Sequence, residues 1–132
     1  MRRNRVRNAV QVQLRCLIVD DSETFLAAAR RLLESQDIAL VGVATSGAEA
    51  VQLVRELRPD VALIDIELAD ESGGDVAREI HEITNGKTAV ILISAHADGD
   101  VADLVGETPA VAFIPKARLS TAAVLELVRS GS

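Results

Sequence analysis

The chain has no tryptophan and no tyrosine, and its only aromatic residues are Phe25 and Phe113. A core in 132 residues must therefore be assembled from Val, Ile, Leu and Ala. The single cysteine, Cys16, excludes an intramolecular disulfide, and inside an apolar run it reads as a small buried hydrophobe. No apolar run approaches the ~20 residues that a membrane-spanning helix requires. The basic N-terminus lacks the apolar stretch of a secretory signal, so a soluble cytoplasmic protein is expected. No Gly-x-Gly-x-x-Gly follows the first strand and there is no P-loop, which argues against nucleotide binding. His81, His96 and Cys16 lack the spacing of zinc ligands.

Positive charge is also scarce, except at one end. Five of the fourteen basic residues are Arg2, Arg3, Arg5, Arg7 and Arg15, which leaves nine against all twenty acidic ones, a net of −11 beyond residue 15. Such a body repels nucleic acid, whose phosphates need clustered Lys and Arg. Residues 1–13 are expected to form a disordered basic extension, able to touch anionic partners, ahead of a single domain over 14–130. With 48% apolar residues, that domain has the material to fold.

Apolar strands and amphipathic helices alternate five times. Leu14–Val19, Ile38–Ala44, Val61–Glu67, Thr88–Ile93 and Ala110–Ile114 read as strands. Ser22 caps a helix through Phe25, Leu26, Ala29, Leu32 and Leu33. Ser46-Gly47 opens a second helix ending near Leu57, before Pro59. Gly73 opens a third that stops at Asn85-Gly86. Asp98–Glu107 is a weaker fourth helix, and Leu119–Arg129 the last. This predicts a doubly wound, flavodoxin-like parallel sheet of five strands in the order 2-1-3-4-5, with five helices on its two faces.

Polar residues gather at the carboxyl ends of these strands, where α/β sheets place their sites. The first strand ends in Asp20-Asp21, the third in Asp65, the fourth in Ser94, and the fifth just before Lys116. In the expected strand order the three carboxylates meet, and a hard divalent cation such as Mg²⁺ would balance them. Taken singly, Asp20-Asp21 is an ordinary turn or cap, and Ser94 and Lys116 are ordinary surface residues. Together they describe a phosphoryl-transfer site with an Asp oxygen as nucleophile. His81 falls on the polar side of the third helix with no role assigned, and His96 lies two residues beyond Ser94 without a catalytic one.

From Leu14 to Arg129 these residues resemble the receiver domain of bacterial two-component response regulators, chemotaxis regulators among them. The matching positions are Asp20-Asp21, Asp65, Ser94, Lys116, Phe113 three residues before that Lys, and the spacing from Asp65 to Ser72-Gly73. The resemblance implies that Asp65 accepts a phosphoryl group from a sensor histidine kinase. Asp21, Asp65 and the Glu67 backbone carbonyl would bind Mg²⁺ directly, with Asp20 acting largely through water. Ser94 and Lys116 would hold the phosphoryl oxygens. Ser94 and Phe113 would then relay the change to the face made by the fourth helix, fifth strand and fifth helix, where a downstream protein or a second copy would dock. No enzymatic activity is expected beyond the protein's own phosphorylation and dephosphorylation. Two departures concern the loop after Asp65: Ala69 stands where the family often has Pro, and Glu71 where an apolar residue is common. The sequence ends without an output domain, which fits either a stand-alone signalling protein or part of a larger regulator. Two alternatives stay open: an Asp-nucleophile phosphohydrolase with Glu67 as second acid, and a pseudo-receiver acting by protein binding alone.

Overall fold

The computed structural model describes residues 13–68, 71–95 and 106–131. Its main sheet contains β1 (Leu14–Val19), β2 (Ile38–Ala44), β3 (Val61–Asp65), β6 (Ala89–Ser94) and β7 (Ala112–Pro115). All neighbours pair in parallel, in the order β2-β1-β3-β6-β7. Counted within the sheet, this is the expected 2-1-3-4-5. The helices are α1 (Glu23–Leu33), α2 (Gly47–Leu57), α3 (Gly73–Thr84) and α4 (Thr121–Gly131). Most of the expected helix over Asp98–Glu107, and His96 before it, lies outside the described residues, as does the expected basic extension up to residue 12.

Every central strand is apolar on both sides, and alternation divides its side chains between two cores. Leu17 and Val19 of β1, Ala62 and Ile64 of β3, and Val90 and Leu92 of β6 pack with α2 and α3. Cys16 and Ile18, Val61 and Leu63, and Ile91 and Ile93 pack with α1 and α4. A β-bulge shifts the β1–β2 register between Cys16 and Leu17. Ile38 therefore serves the α1/α4 core while Ala44, of the same parity, serves the other.

Helix ends follow local chemistry. Ser22, Ser46 and Ser72 accept from Phe25, Glu49 and Gly74 backbone N–H groups, satisfying donors at the starts of α1, α2 and α3. Arg58 and Asn85 close α2 and α3 in the left-handed conformation.

Two boundaries refine the sequence pattern. The third strand stops at Asp65, the strand end at which that acid is expected, because the Asp65 carboxylate accepts the Glu67 N–H at 3.0 Å and turns the chain. Glu67–Leu68 (β4) then pairs antiparallel with Glu71–Ser72 (β5) in a two-stranded hairpin. The last helix starts at Thr121, because Lys116–Arg118 forms a 3₁₀ turn and Ser120 accepts the Ala123 N–H.

Candidate functional site

Strand parity assembles the site. Asp20 extends the Cys16–Ile18 series, Asp65 the Val61–Leu63 series, and Lys116 follows Ile114, all on the α1/α4 side. Since β1, β3, β6 and β7 are adjacent, these residues emerge together at the sheet's carboxyl edge. Ligand atoms of Asp20, Asp21 and Asp65 all lie within 4.8 Å of one another. Asp20 has no exposed surface, Asp65 is buried, and Asp21 is exposed.

Lys116 reaches across to both buried acids. Its Nζ lies 2.6 Å from Asp20 Oδ2 and 3.2 Å from Asp65 Oδ2. The Phe25 ring of α1 holds it from beneath, with the centroid 4.3 Å from Nζ. Asp20 Oδ1 accepts the Ser22 N–H at 2.8 Å. Asp20 Oδ2, although close to the ammonium, has no donor at hydrogen-bonding angle among the described residues. Burial raises the Asp65 carboxyl above its ordinary range; the Glu67 N–H opposes that shift, and the Asp20 charge adds to it. Burial pulls the Lys116 ammonium down, but the Asp20 and Asp65 carboxylates beside it outweigh that, so its pKa is raised.

A cation fits these residues. Three carboxylates crowd one crevice, and the buried Asp20 Oδ2 lacks an aligned donor. An all-oxygen set of this kind suits a hard ion such as Mg²⁺.

Ser94 is buried at the last ladder position of β6, opposite Pro115 and one residue beyond Ile93, which pairs with Asp65. Its parity places it on the α2/α3 side, the side on which Phe113 is half-buried against the core. Ser94 thus ends β6 at the same carboxyl edge as the ionic cluster, on the side of the sheet it shares with Phe113. His81 is exposed near the C-terminus of α3, where its ring lies 3.3 Å from the space a Cβ on Gly86 would fill, at the far edge of the sheet.

Two contributors, Phe25 and Glu71, were not apparent from sequence, and the spacing that singled out Gly73 gains a physical reason. Phe25 reads there only as a core position of the first helix; nothing local announces a partner 91 residues away. Gly73 lies so close to β3 that a Cβ would collide with the Asp65 carbonyl oxygen, and its N–H donates to Ile66 O at 3.2 Å. Glu71, which stands where an apolar residue is common, turns its carboxylate to α2, where it accepts the Gly47 N–H at 2.9 Å.

A parallel doubly wound sheet with carboxylates on two neighbouring strands and a lysine after the last strand defines an α/β domain of the flavodoxin-like class with an acidic carboxyl edge. The profile of the response regulator receiver domain matches residues 16–128, and the chain belongs to this family. The fold agrees: a signal receiver domain from Mycobacterium tuberculosis is 30% identical, with a TM-score of 0.80 over 89% of this chain and 97% of that one. The response regulator domain of Thermotoga maritima CheB is 28% identical, with a TM-score of 0.75 over 91% of this chain and 96% of that one. Among curated proteins, the chain is 36% identical over 84 residues to a protein-glutamate methylesterase/protein-glutamine glutaminase of Koribacter versatilis, covering 63% of this chain and 23% of that protein. It is 31% identical over 121 residues to the transcriptional regulatory protein LiaR of Bacillus subtilis, covering 90% of this chain and 56% of that protein. The chain thus spans about a quarter to about half of these relatives.

Proposed function

We propose that the domain is a phosphoacceptor of a two-component system, with Asp65 as the residue that takes the phosphoryl group. The observation that carries this reading is the convergence of Asp20, Asp65 and Lys116 from separate strand ends, with one ammonium contacting both buried acids. An ionised Asp65 oxygen forms a bond to the phosphorus of a kinase phosphohistidine. The phosphorus–nitrogen bond breaks, and the imidazole nitrogen keeps the electron pair and takes a proton. The product is an acyl phosphate on Asp65.

Asp20, Asp21, Asp65 and the Glu67 backbone carbonyl would hold Mg²⁺, with Asp20 acting largely through water. Bound there, Mg²⁺ supplies positive charge to the phosphoryl oxygens. Lys116 supplies a second positive charge, and the Ser94 hydroxyl donates to a phosphoryl oxygen. Ser94 and Phe113, close on adjacent strands and on one face, carry the change to the surface of the fifth sheet strand and its flanking helices. A downstream protein, an output domain or a second copy reads it there. The setting is cytoplasmic; no helix among the described residues is long and apolar enough to cross a membrane.

The hydrolase reading has less support, because Glu67 meets Asp65 through its backbone N–H while its side chain is exposed. Incubation with Mg²⁺ and either acetyl phosphate or a phosphorylated histidine kinase tests the proposal. The intact protein should gain the mass of one phosphoryl group, and Asp65→Asn should not. No gain from either donor would favour a protein-binding pseudo-receiver. Rapid turnover of an organic phosphomonoester would favour the hydrolase.

A further inference from the structure

Glu71 has a geometry that the phosphoacceptor chemistry does not use. It sits in the β4–β5 hairpin, opposite Leu68 and next to Ser72, which caps α3. Its Oε2 accepts the Gly47 N–H from 24 positions away. The start of α2 already has a local cap, since Ser46 Oγ accepts the Glu49 N–H and Glu49 Oε1 accepts the Thr45 N–H at 2.8 Å. The bond from Glu71 is therefore an added tertiary link. The fit is reciprocal: a Cβ on Gly47 would collide with the Glu71 carboxylate and come within 2.8 Å of Val76 Cγ2.

The hairpin needs such a link. It consists of two residue pairs, Glu67 with Ser72 and Leu68 with Glu71, too short a ladder to hold its own shape. One anchor is Leu68, buried in the α2/α3 core. A second is the Glu71 carboxylate on α2, added to the backbone bonds that Ile66 makes with Gly73 and Ile93 at the hairpin's base. Between these anchors and Asp65 lies Glu67, whose N–H orients Asp65 Oδ1.

We propose that Glu71 is a positioning residue: its bond to Gly47 ties the hairpin to α2 and so holds Glu67 and Asp65 in register for a divalent cation. This role rests on the metal-assisted phosphoacceptor reading above. It assigns a purpose to an acid that stands where an apolar side chain is common.

The test is a Mg²⁺ titration of the full chain, followed by backbone amide NMR signals, for the wild type, Glu71→Ala and Glu71→Gln. Hydrogen exchange at the Gly47 and Glu67 amides and the melting temperature are measured on the same samples. Glu71→Ala should speed exchange at both amides and weaken Mg²⁺ binding about three- to fivefold, the scale of one half-buried hydrogen bond. Glu71→Gln keeps an acceptor oxygen and should restore most of both. Phosphorylation of Glu71→Ala should be slowed at low Mg²⁺ and match wild type at saturating Mg²⁺. Unchanged Mg²⁺ affinity in Glu71→Ala together with a lowered melting temperature would overturn the proposal and leave Glu71 a helix cap. A wild type that binds Mg²⁺ but takes no phosphoryl group, with the Glu71→Ala effect on Mg²⁺ intact, would overturn the phosphoacceptor reading alone.

Discussion

At the scale of single residues, Lys116 holds the site's charge balance. Asp20 is fully buried, and its nearest positive charge lies at 2.6 Å on a side chain only 16% exposed. Removing one partner of such a pair strands the other in a poorly solvated place. Lys116→Met should therefore lower stability by about 3 kcal/mol in denaturant titration without divalent ions, and added Mg²⁺ should recover part of that loss. The same variant has a pH signature. The folded protein raises the Lys116 pKa above its ordinary 10.5, so the native state holds this proton more tightly than the unfolded chain. Its stabilisation is complete below 10.5 and disappears as pH rises through the folded value. Wild type should lose stability more steeply than Lys116→Met in that alkaline window. Asp65 is raised as well, so folding is opposed as pH climbs from 3.8 toward its folded value, where a buried carboxylate must ionise, and do so beside Asp20. Cys16 is inert by the same logic: burial pushes its thiol up to about 12.

At the scale of elements, the ends of helices carry long-range information. The hydroxyl of Thr121, at the first position of α4, donates to Leu32 O at 2.9 Å and lies 3.4 Å from Leu33 O. It satisfies carbonyls left open at the end of α1 and joins two helices of the same layer. Thr121→Val keeps the shape and removes the donor, so it should cost about 1 kcal/mol in chemical unfolding while leaving the acid cluster intact. The β4–β5 hairpin works in the same way on the other layer, with Leu68 in the core and Glu71 on α2.

At the scale of the whole molecule, folding forces like charges together. The parallel order β2-β1-β3 makes neighbours of two strands that both end in acids, three carboxylates against the one ammonium of Lys116, a balance that a bound divalent cation would improve. A ligand that binds only the folded form stabilises it by mass action. Mg²⁺ at ten times its dissociation constant should therefore add about 1.4 kcal/mol and raise the melting temperature of the wild type. EDTA should reverse the gain, and Asp65→Ala should show little of it. An equal Mg²⁺ response in Asp65→Ala would place the ion elsewhere.

By itself, the sequence determined the alternation of elements, because apolar runs on both strand faces permit only a sheet covered on both sides. It also determined the strand ends at which Asp20, Asp21, Asp65, Ser94 and Lys116 stand, since those positions follow from where each apolar run stops. The β-bulge in β1–β2 pairing was not legible, because register depends on which strand lies alongside. Nor was the bond from the Glu67 N–H to the Asp65 carboxylate, which turns the chain at that strand end. The ring of Phe25 under Lys116 and the reach of Glu71 to Gly47 join residues far apart in the chain, so only tertiary packing brought them together. Sequence pattern records which residues are apolar and where turns fall. Which charges share a low-dielectric crevice was decided by the folded sheet, because interaction there depends on distance and burial.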